Sequence, residues 1–169
     1  MNDQIKILIT GGTIDCERIE ENDKYIFEET YLPEMLKQGK CKVNVELEIL
    51  MMKDSLFLDD NDRKLILEKC KTVESNKIIV THGTDTMPET ARLLGKENLA
   101  KTIVLLGAMV PFNQPASDAL FNLGAAITAV QLLNNGVYIS MNGKIFHHDN
   151  VKKNKELGEF QALDGLAEV

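Results

Sequence analysis

The chain has 169 residues, of which 44% are hydrophobic and 27% are charged. This length and composition provide for one ordinary domain with a substantial core and argue against a disordered chain. Nineteen basic and 26 acidic side chains give a formal net charge of −7, which repels polyanions. No apolar run is long enough to span a bilayer. We therefore expect neither a nucleic-acid nor a membrane partner.

The amino-terminal stretch "MNDQIKILITGG" shows no basic region, sustained apolar region or small-residue cleavage site, so we expect a cytoplasmic protein. Three widely spaced cysteines (Cys16, Cys41 and Cys70) favour reduced thiols over a disulfide framework. Cys16 lies close to a glycine turn. It could be a nucleophile, or an incidental loop thiol, since no histidine or basic residue stands directly beside it.

Apolar runs and helical spacings alternate along the chain. Strands are predicted at 5–10, 43–52, 77–81, 102–107 and 136–141, and helices at 31–38, 61–73, 88–97 and 116–135. Near-continuously apolar strands that alternate with helices predict a parallel sheet covered on both faces. The fold class is therefore a three-layer α/β domain, Rossmann-like or flavodoxin-like. Asn142-Gly143 predicts a terminal β-hairpin, and the tail after Lys155 is either a docking segment or a frayed end.

Polar loops follow the first four predicted strands, where ligands bind in open α/β sheets. They read "TGGTIDC", "KDSLFLDDND", "THGTDT" and "GAMVPFNQPASDA". The third loop continues into "MPET", where Thr86 and Glu89 form a T-x-x-E capping box. The turn at Gly83 leaves Thr84 and Asp85 at the sheet edge before this cap begins. These two side chains could take part in the protein's function, or they could only stabilise the turn.

The first loop contains the glycine pair Gly11-Gly12 but neither G-x-G-x-x-G nor a P-loop lysine, so no dinucleotide or other cofactor is expected. Thr13 could offer a nucleophilic hydroxyl to a substrate amide, or could simply stabilise the turn. Lys153 is an ordinary solvated lysine unless a nearby group needs a base.

No metal site is expected from the clustered acids and histidines. Asp59, Asp60 and Asp62 lack the spacing of a calcium loop and are predicted to cap the helix that follows. His147 and His148 are adjacent in a predicted short strand, where neighbouring side chains point to opposite faces.

Four motifs together resemble the amino-terminal domain of the bacterial-type L-asparaginase and glutaminase family. They are "ITGGTID", "THGTDTMPETA", "GAMVPFNQPASDALFNLG" and "NVKKNK". The resemblance covers residues 5 to about 155, so residues 1–169 are expected to form a single domain of this type. Family members usually carry a second, carboxy-terminal domain, which we expect to be absent here.

The resemblance implies that Thr13 is the nucleophile and Thr84 the second essential threonine. Tyr25 would lie on a flexible lid that helps to activate the nucleophile. A partly buried Lys153 that has lost its proton could act as base through Thr84, although Asp85 also favours the charged lysine.

The resemblance also implies the substrate contacts. Asp85 would hold the substrate ammonium and pair with Lys153, and Ser55 would contact the substrate carboxylate. Backbone N–H groups beside Gly12 and Gly83 are natural oxyanion donors. Leu56 follows Ser55 where many family members have a polar residue.

These roles imply an amidohydrolase that converts L-asparagine, or a related small amide, to the acid and ammonia through a threonine acyl-enzyme. The alternative is a weak or inactive amino-acid-binding module, or one half of a two-chain enzyme. A homodimer or larger homo-oligomer is also expected. The helix predicted at 116–135 is apolar or small nearly all round, whereas a helix on a sheet needs one apolar stripe.

Overall fold

The computed structural model of the protein describes residues 4–19 and 24–165. Within them the strands are β1 (Ile5–Gly11), β2 (Glu17–Ile19), β3 (Lys24–Ile26), β4 (Val45–Lys53), β5 (Lys77–Thr81), β6 (Thr102–Leu106), β7 (Gly136–Met141), β8 (Lys144–His147), β9 (Lys152–Asn154) and β10 (Glu159–Gln161). The helices are α1 (Leu32–Gln38), α2 (Asp60–Thr72), α3 (Met87–Gly95) and α4 (Ala119–Leu132). Short 3-10 helices follow β1 at Thr13–Asp15 and β4 at Ser55–Phe57.

The central sheet has six strands in the order β4-β1-β5-β6-β7-β8. The first five are parallel, and β8 is antiparallel to β7. Counted along the chain, the parallel strands follow the order 2-1-3-4-5, which is that of flavodoxin-like folds. The predicted α/β class is therefore confirmed, and the carboxyl ends of β1, β4, β5 and β6 share one edge of the sheet.

Both faces of the sheet are covered because its central strands are apolar on both sides. Ile7 of β1 belongs to a cluster with residues of α1 and α4. Leu8, the next residue, faces the other way and belongs to a cluster with residues of α2 and α3. Both side chains have no exposed surface. The near-continuous apolar runs in the sequence thus reflect burial on two sides.

The predicted terminal hairpin is present between β7 and β8. Asn142 and Gly143 have φ angles of 51° and 83°. Two successive positive φ angles are what a type I′ turn requires. The tail takes the docked form of the two alternatives, since β10 pairs antiparallel with β9 and Phe160 is buried in the core. Residues 166–169 of that tail lie outside the described residues.

Helix α4 begins three residues later than predicted. Ala116 has a φ angle of 61°, which a right-handed helix cannot contain. Ser117 then accepts a hydrogen bond from the Ala119 backbone N–H, and the helix starts at Ala119. Two large apolar side chains of α4, Phe121 and Leu132, are 62% and 79% exposed.

The described helices include none with the length and apolar character needed to cross a membrane.

Candidate functional site

The loops that follow β1, β4 and β5 touch one another through glycine backbones. A Cβ atom on Gly12 would lie 2.4 Å from the backbone nitrogen of Gly83. A Cβ atom on Gly83 would lie 2.5 Å from Cβ and Oγ of Ser55. Only glycine permits these approaches, and Gly12 also has a φ angle of 82°. The contacts bring Thr13, Ser55 and Thr84 to one place at the sheet edge.

Lys153 reaches this edge from β9, outside the central sheet. Its Nζ donates to Oγ1 of Thr84 at 2.7 Å and to Oδ1 of Asp85 at 2.8 Å. The Lys153 side chain is 13% exposed and that of Asp85 is 32% exposed. A charge-assisted hydrogen bond in so sheltered a position is stronger than one at the open surface. The cluster of a hydroxyl, an amine and a carboxylate is therefore well fixed.

Ser55 offers a hydroxyl that its own fold does not use. The residue is 1% exposed, and its Oγ has no hydrogen-bond partner among the described residues. Buried hydroxyls without a partner are rare because they cost free energy. The Ser55 hydroxyl is thus free to bind a ligand where the three loops meet.

Thr86 does not cap α3, contrary to the prediction. It is the residue before the helix, but its side chain makes no capping hydrogen bond. Its Oγ1 instead donates to the backbone oxygen of Ser55 at 2.9 Å. Glu89, the other half of the predicted box, pairs with Arg63 of α2. The hydroxyl is therefore used to join two loops of the site. The helix cap predicted for the acidic cluster does form, as a capping box between Asp59 and Asp62 at the start of α2.

His82 supports the Gly83 turn from below. Its Nδ1 lies 2.7 Å from the Gly83 oxygen and its Nε2 lies 2.8 Å from Oγ1 of Thr90. Because a carbonyl oxygen only accepts, Nδ1 carries the proton and Nε2 accepts from the threonine. Complete burial lowers the pKa of His82 to about 4. His82 is therefore a neutral positioning residue near pH 7.

Asp118 fixes the loop after β6. Its carboxylate accepts hydrogen bonds from the backbone N–H groups of Met109 and Val110 and from the side chain of Asn122. Asn122 also donates to the Gly107 oxygen at 2.9 Å. Both residues belong to the motif "GAMVPFNQPASDALFNLG", but the sequence does not reveal their partners, which come from separate elements. They brace the edge next to the site.

The first loop holds two buried groups whose roles the sequence does not decide. Burial raises the pKa of the Cys16 thiol to about 12, and its Sγ donates to the Thr13 oxygen at 3.3 Å. A thiol that stays protonated is no nucleophile, so Cys16 belongs to the turn. The neighbouring Asp15 is 1% exposed and accepts from Thr30 Oγ1 and the Tyr31 N–H.

Gly12 and Tyr25 are two further predicted site residues. The N–H of Gly12 donates to the Lys53 oxygen at 2.9 Å, so Gly12 itself cannot supply an oxyanion donor. Tyr25 lies on β3 opposite Arg18 of β2 and is 50% exposed. Among the described contacts, no hydrogen bond or ring contact joins Tyr25 to Thr13 or Thr84.

The histidine pair also differs from the prediction. His147 is the last residue of β8 and His148 lies in the turn that follows, so the two rings do not point to opposite faces. Their centroids are 4.3 Å apart.

The fold and the edge cluster together define the class: a flavodoxin-like α/β domain with a hydroxyl, amine and carboxylate site at the carboxyl ends of its strands. A family model described as "Asparaginase, N-terminal" matches residues 4–165. The chain therefore belongs to the asparaginase family, and it corresponds to the amino-terminal domain.

Individual relatives agree with this assignment. The L-asparaginase of Thermococcus kodakarensis is 28% identical over 170 residues, which cover 95% of this chain and 51% of the relative. Its solved structure superposes with a TM-score of 0.85 at 27% identity, covering 97% of this chain and 52% of that one. L-asparaginase 2 of Escherichia coli is 32% identical over 159 residues, covering 88% of this chain and 46% of the relative.

A third relative carries a different name. This protein of Methanococcus maripaludis is named as a subunit of glutamyl-tRNA(Gln) amidotransferase, and it is 30% identical over 151 residues, covering 83% of this chain and 35% of the relative. The chain thus spans about half the length of the asparaginases it matches, and a smaller share of the amidotransferase relative.

Proposed function

We propose that this chain is the nucleophile-bearing domain of an amidohydrolase that converts L-asparagine, or a related small amide, to the acid and ammonia. The observation that carries the proposal is Lys153 Nζ, which lies 2.7 Å from Thr84 Oγ1 and 2.8 Å from Asp85 Oδ1. A lysine held between a hydroxyl and a carboxylate at a sheet edge is an arrangement suited to proton transfer. The shared family with L-asparaginases supports the choice of an amide substrate.

The reaction we propose begins with attack of the Thr13 hydroxyl on the side-chain amide carbon. The hydroxyl proton passes through Thr84 to Lys153, which must be an uncharged amine to accept it. The lysine ammonium then returns a proton to the departing nitrogen, and the carbon–nitrogen bond breaks to release ammonia and leave an ester on Thr13. Water then hydrolyses the Thr13 ester, which returns the hydroxyl and gives the carboxylic acid. Because the Gly12 N–H is occupied, the oxyanion donors are expected among the N–H groups that follow Gly12 and Gly83. From the family resemblance, Tyr25 would help to activate the Thr13 hydroxyl.

Substrate binding would use the groups that the fold leaves free. Asp85 Oδ1 is bonded to Lys153, which leaves the second carboxylate oxygen for the ammonium of an amino acid. The unpartnered Ser55 hydroxyl can donate to the substrate carboxylate. Leu56, directly after Ser55, is 59% exposed and offers no polar contact there. We infer a small α-amino acid amide as the substrate class.

The second candidate is a domain that binds an amino acid without turning it over by itself, or one half of a two-chain enzyme. It is favoured by the relative whose name describes one subunit of an amidotransferase. Calorimetric titration with L-aspartate separates the candidates: binding with no ammonia release from any amide identifies a binding module. Asp85→Asn should abolish that binding in either case.

The test of the proposed reaction is ammonia release from a panel of primary amides by the purified protein and two variants. Thr13→Ala and Thr84→Ala should each lower the rate at least about a hundredfold, as expected when a nucleophile or its activating partner is lost. Thr72→Ala is the matched control, since Thr72 is an exposed threonine at the end of α2. Near-normal turnover in either site variant would remove that threonine from the mechanism.

A further inference from the structure

A cluster of three nitrogen and oxygen donors lies at the end of β8 and in the turn that follows. His147, His148 and Asp149 each offer one ligand atom, and these atoms all lie within 4.8 Å of one another. Two imidazoles and a carboxylate are the ligand types that zinc and its neighbours in the first transition row prefer. We propose that this turn, His147–Asp149, is a binding site for one divalent transition-metal ion.

The backbone of the turn is already fixed. Asn150 N–H donates to the His147 oxygen at 3.0 Å, which closes the turn, and His148 N–H donates to the Val137 oxygen at 3.0 Å, which ties the turn to β7. The three ligand residues therefore need no backbone folding to come together. Preorganisation of this kind lowers the entropic cost of binding an ion.

The His148 ring is held in one orientation by α3. A Cβ atom on Gly95 would lie 2.0 Å from Cδ2 and 2.2 Å from Nε2 of this ring, so that edge packs directly on the glycine. The other ring nitrogen, Nδ1, is buried and has no hydrogen-bond partner among the described residues. A buried nitrogen without a hydrogen-bond partner calls for one. One nitrogen of this ring also lies within 4.8 Å of a ligand atom of His147 and of Asp149.

The side chains of the partly buried His147 and the exposed Asp149 already have nearly the spacing of two ligands. Nδ1 of His147 and Oδ1 of Asp149 are 2.6 Å apart. Two ligand atoms at about 2.1 Å from a tetrahedral zinc ion are separated by about 3.4 Å, so the pair must open by less than about 1 Å. The Asp149 side chain is 68% exposed and can rotate that far without repacking.

The proposed metal site lies at the amino-terminal ends of the parallel strands, whereas Thr84 and Lys153 lie at their carboxyl ends. His147 pairs with Tyr138, close to the beginning of β7, whereas the Thr84 cluster follows the carboxyl end of β5. From His148 the chain runs back along α3 towards Lys153. The His148 ring packs on Gly95 of α3, and the Val151 oxygen accepts a hydrogen bond from the Arg92 side chain of the same helix. An ion in the turn would therefore anchor the start of the segment that carries the lysine.

The first test is titration of the unmodified protein with zinc and, in parallel, visible spectroscopy of its cobalt(II) complex. We expect one zinc ion to bind per chain. The cobalt(II) complex should show the intense visible bands of a four- or five-coordinate ion with imidazole ligands, and magnesium should not compete with either metal. A cobalt spectrum equal to that of the aqueous ion would overturn the proposal.

Single variants assign the ligands. His147→Ala and Asp149→Asn should each weaken zinc binding at least about tenfold, since even partners outside the ligand shell contribute that much. Glu156→Gln is the matched control, an exposed acid in the same segment, and Cys41→Ser excludes binding through the most accessible thiol. We expect the His147→Ala and Asp149→Asn proteins to fold. His148→Ala is a poorer test, because it also removes the packing of the ring on Gly95. Unchanged zinc affinity in His147→Ala and Asp149→Asn would refute the site.

Discussion

Asp15 shows how one side chain can make stability depend on pH. It is 1% exposed, one carboxylate oxygen is bonded to Thr30 and Tyr31, and the other has no partner within the described chain. Burial outweighs these hydrogen bonds and raises its pKa from 3.8 to about 6. The carboxyl is thus neutral in mildly acidic solution and must ionise inside the protein at higher pH.

Because the folded pKa is raised, the stabilisation from Asp15 is complete below about pH 4 and is lost as the pH rises through 6. Two pKa units correspond to about 3 kcal/mol. Asp15→Asn should remove this part of the pH dependence, so the unfolding free energy of the variant should change less between pH 4 and 7 than that of the wild type. Urea unfolding at several pH values measures it, with Asp60→Asn, an exposed acid of α2, as control. Parallel pH profiles of wild type and Asp15→Asn would contradict the assignment.

Individual residues of the site differ in how far the sequence predicts them. Thr84 and Asp85 stand out because helix initiation does not need them, and the motif places Lys153 with them. The role of Thr86 is wrongly predicted, because T-x-x-E is a local pattern and the hydroxyl is instead bonded to Ser55, 31 positions away. His82 likewise depends on Thr90 across a turn, which no local pattern announces.

At the scale of elements, Thr86 links the 3-10 helix at Ser55–Phe57 to the start of α3. Thr86→Val keeps the shape and removes the hydrogen bond to the Ser55 oxygen, so we expect a loss of about 1 kcal/mol of unfolding free energy. Urea denaturation measures this. Thr72→Val, at an exposed end of α2, is the control and should change stability by less than about 0.5 kcal/mol. A Thr86→Val protein as stable as the wild type would show that the link does not contribute.

The long elements are predicted well and the short ones are not. Five parallel strands and four helices follow from periodicity, because each is long enough to show an apolar face. The hairpins β2–β3 and β9–β10 have strands of three residues each, too short for a periodic signal. The prediction for helix α4 is too long because the left-handed backbone at Ala116 has no signature in an alanine.

For the whole molecule, the outer face of α4 supports the predicted dimer. Phe121 and Leu132 are largely exposed on it. A Cβ atom on Gly124 would meet nothing within 4 Å, so the fold of this chain does not itself demand a glycine there. A second copy of the helix could pack closely against such a surface, and twofold symmetry is the commonest arrangement.

We therefore expect light scattering with size exclusion to give the mass of two chains at micromolar concentration. Leu132→Lys should shift the mass to one chain, because it places a charge in the apolar contact. Leu65→Lys, on an exposed part of α2, is the control and should stay dimeric. A single-chain mass for the wild-type protein would disprove the dimer.

Cytoplasmic location remains a prediction, since one relative is named as periplasmic and a solved relative as cytoplasmic.

The position of Lys153 on a separate two-stranded ribbon has a consequence for motion. Within the described part of the chain, β9 and β10 pair only with each other, over three residues. Phe160 of β10 and Val151, just before β9, hold this ribbon to the core. Such a unit can open locally at a lower free energy than the central sheet. Each opening would withdraw the amine from Thr84 and Asp85 while the rest of the fold stays intact. The fraction of molecules with a complete site is then set by this local equilibrium and not by the global unfolding free energy. Amide hydrogen exchange at the hydrogen-bonded N–H groups of β9 and β10 reports the equilibrium.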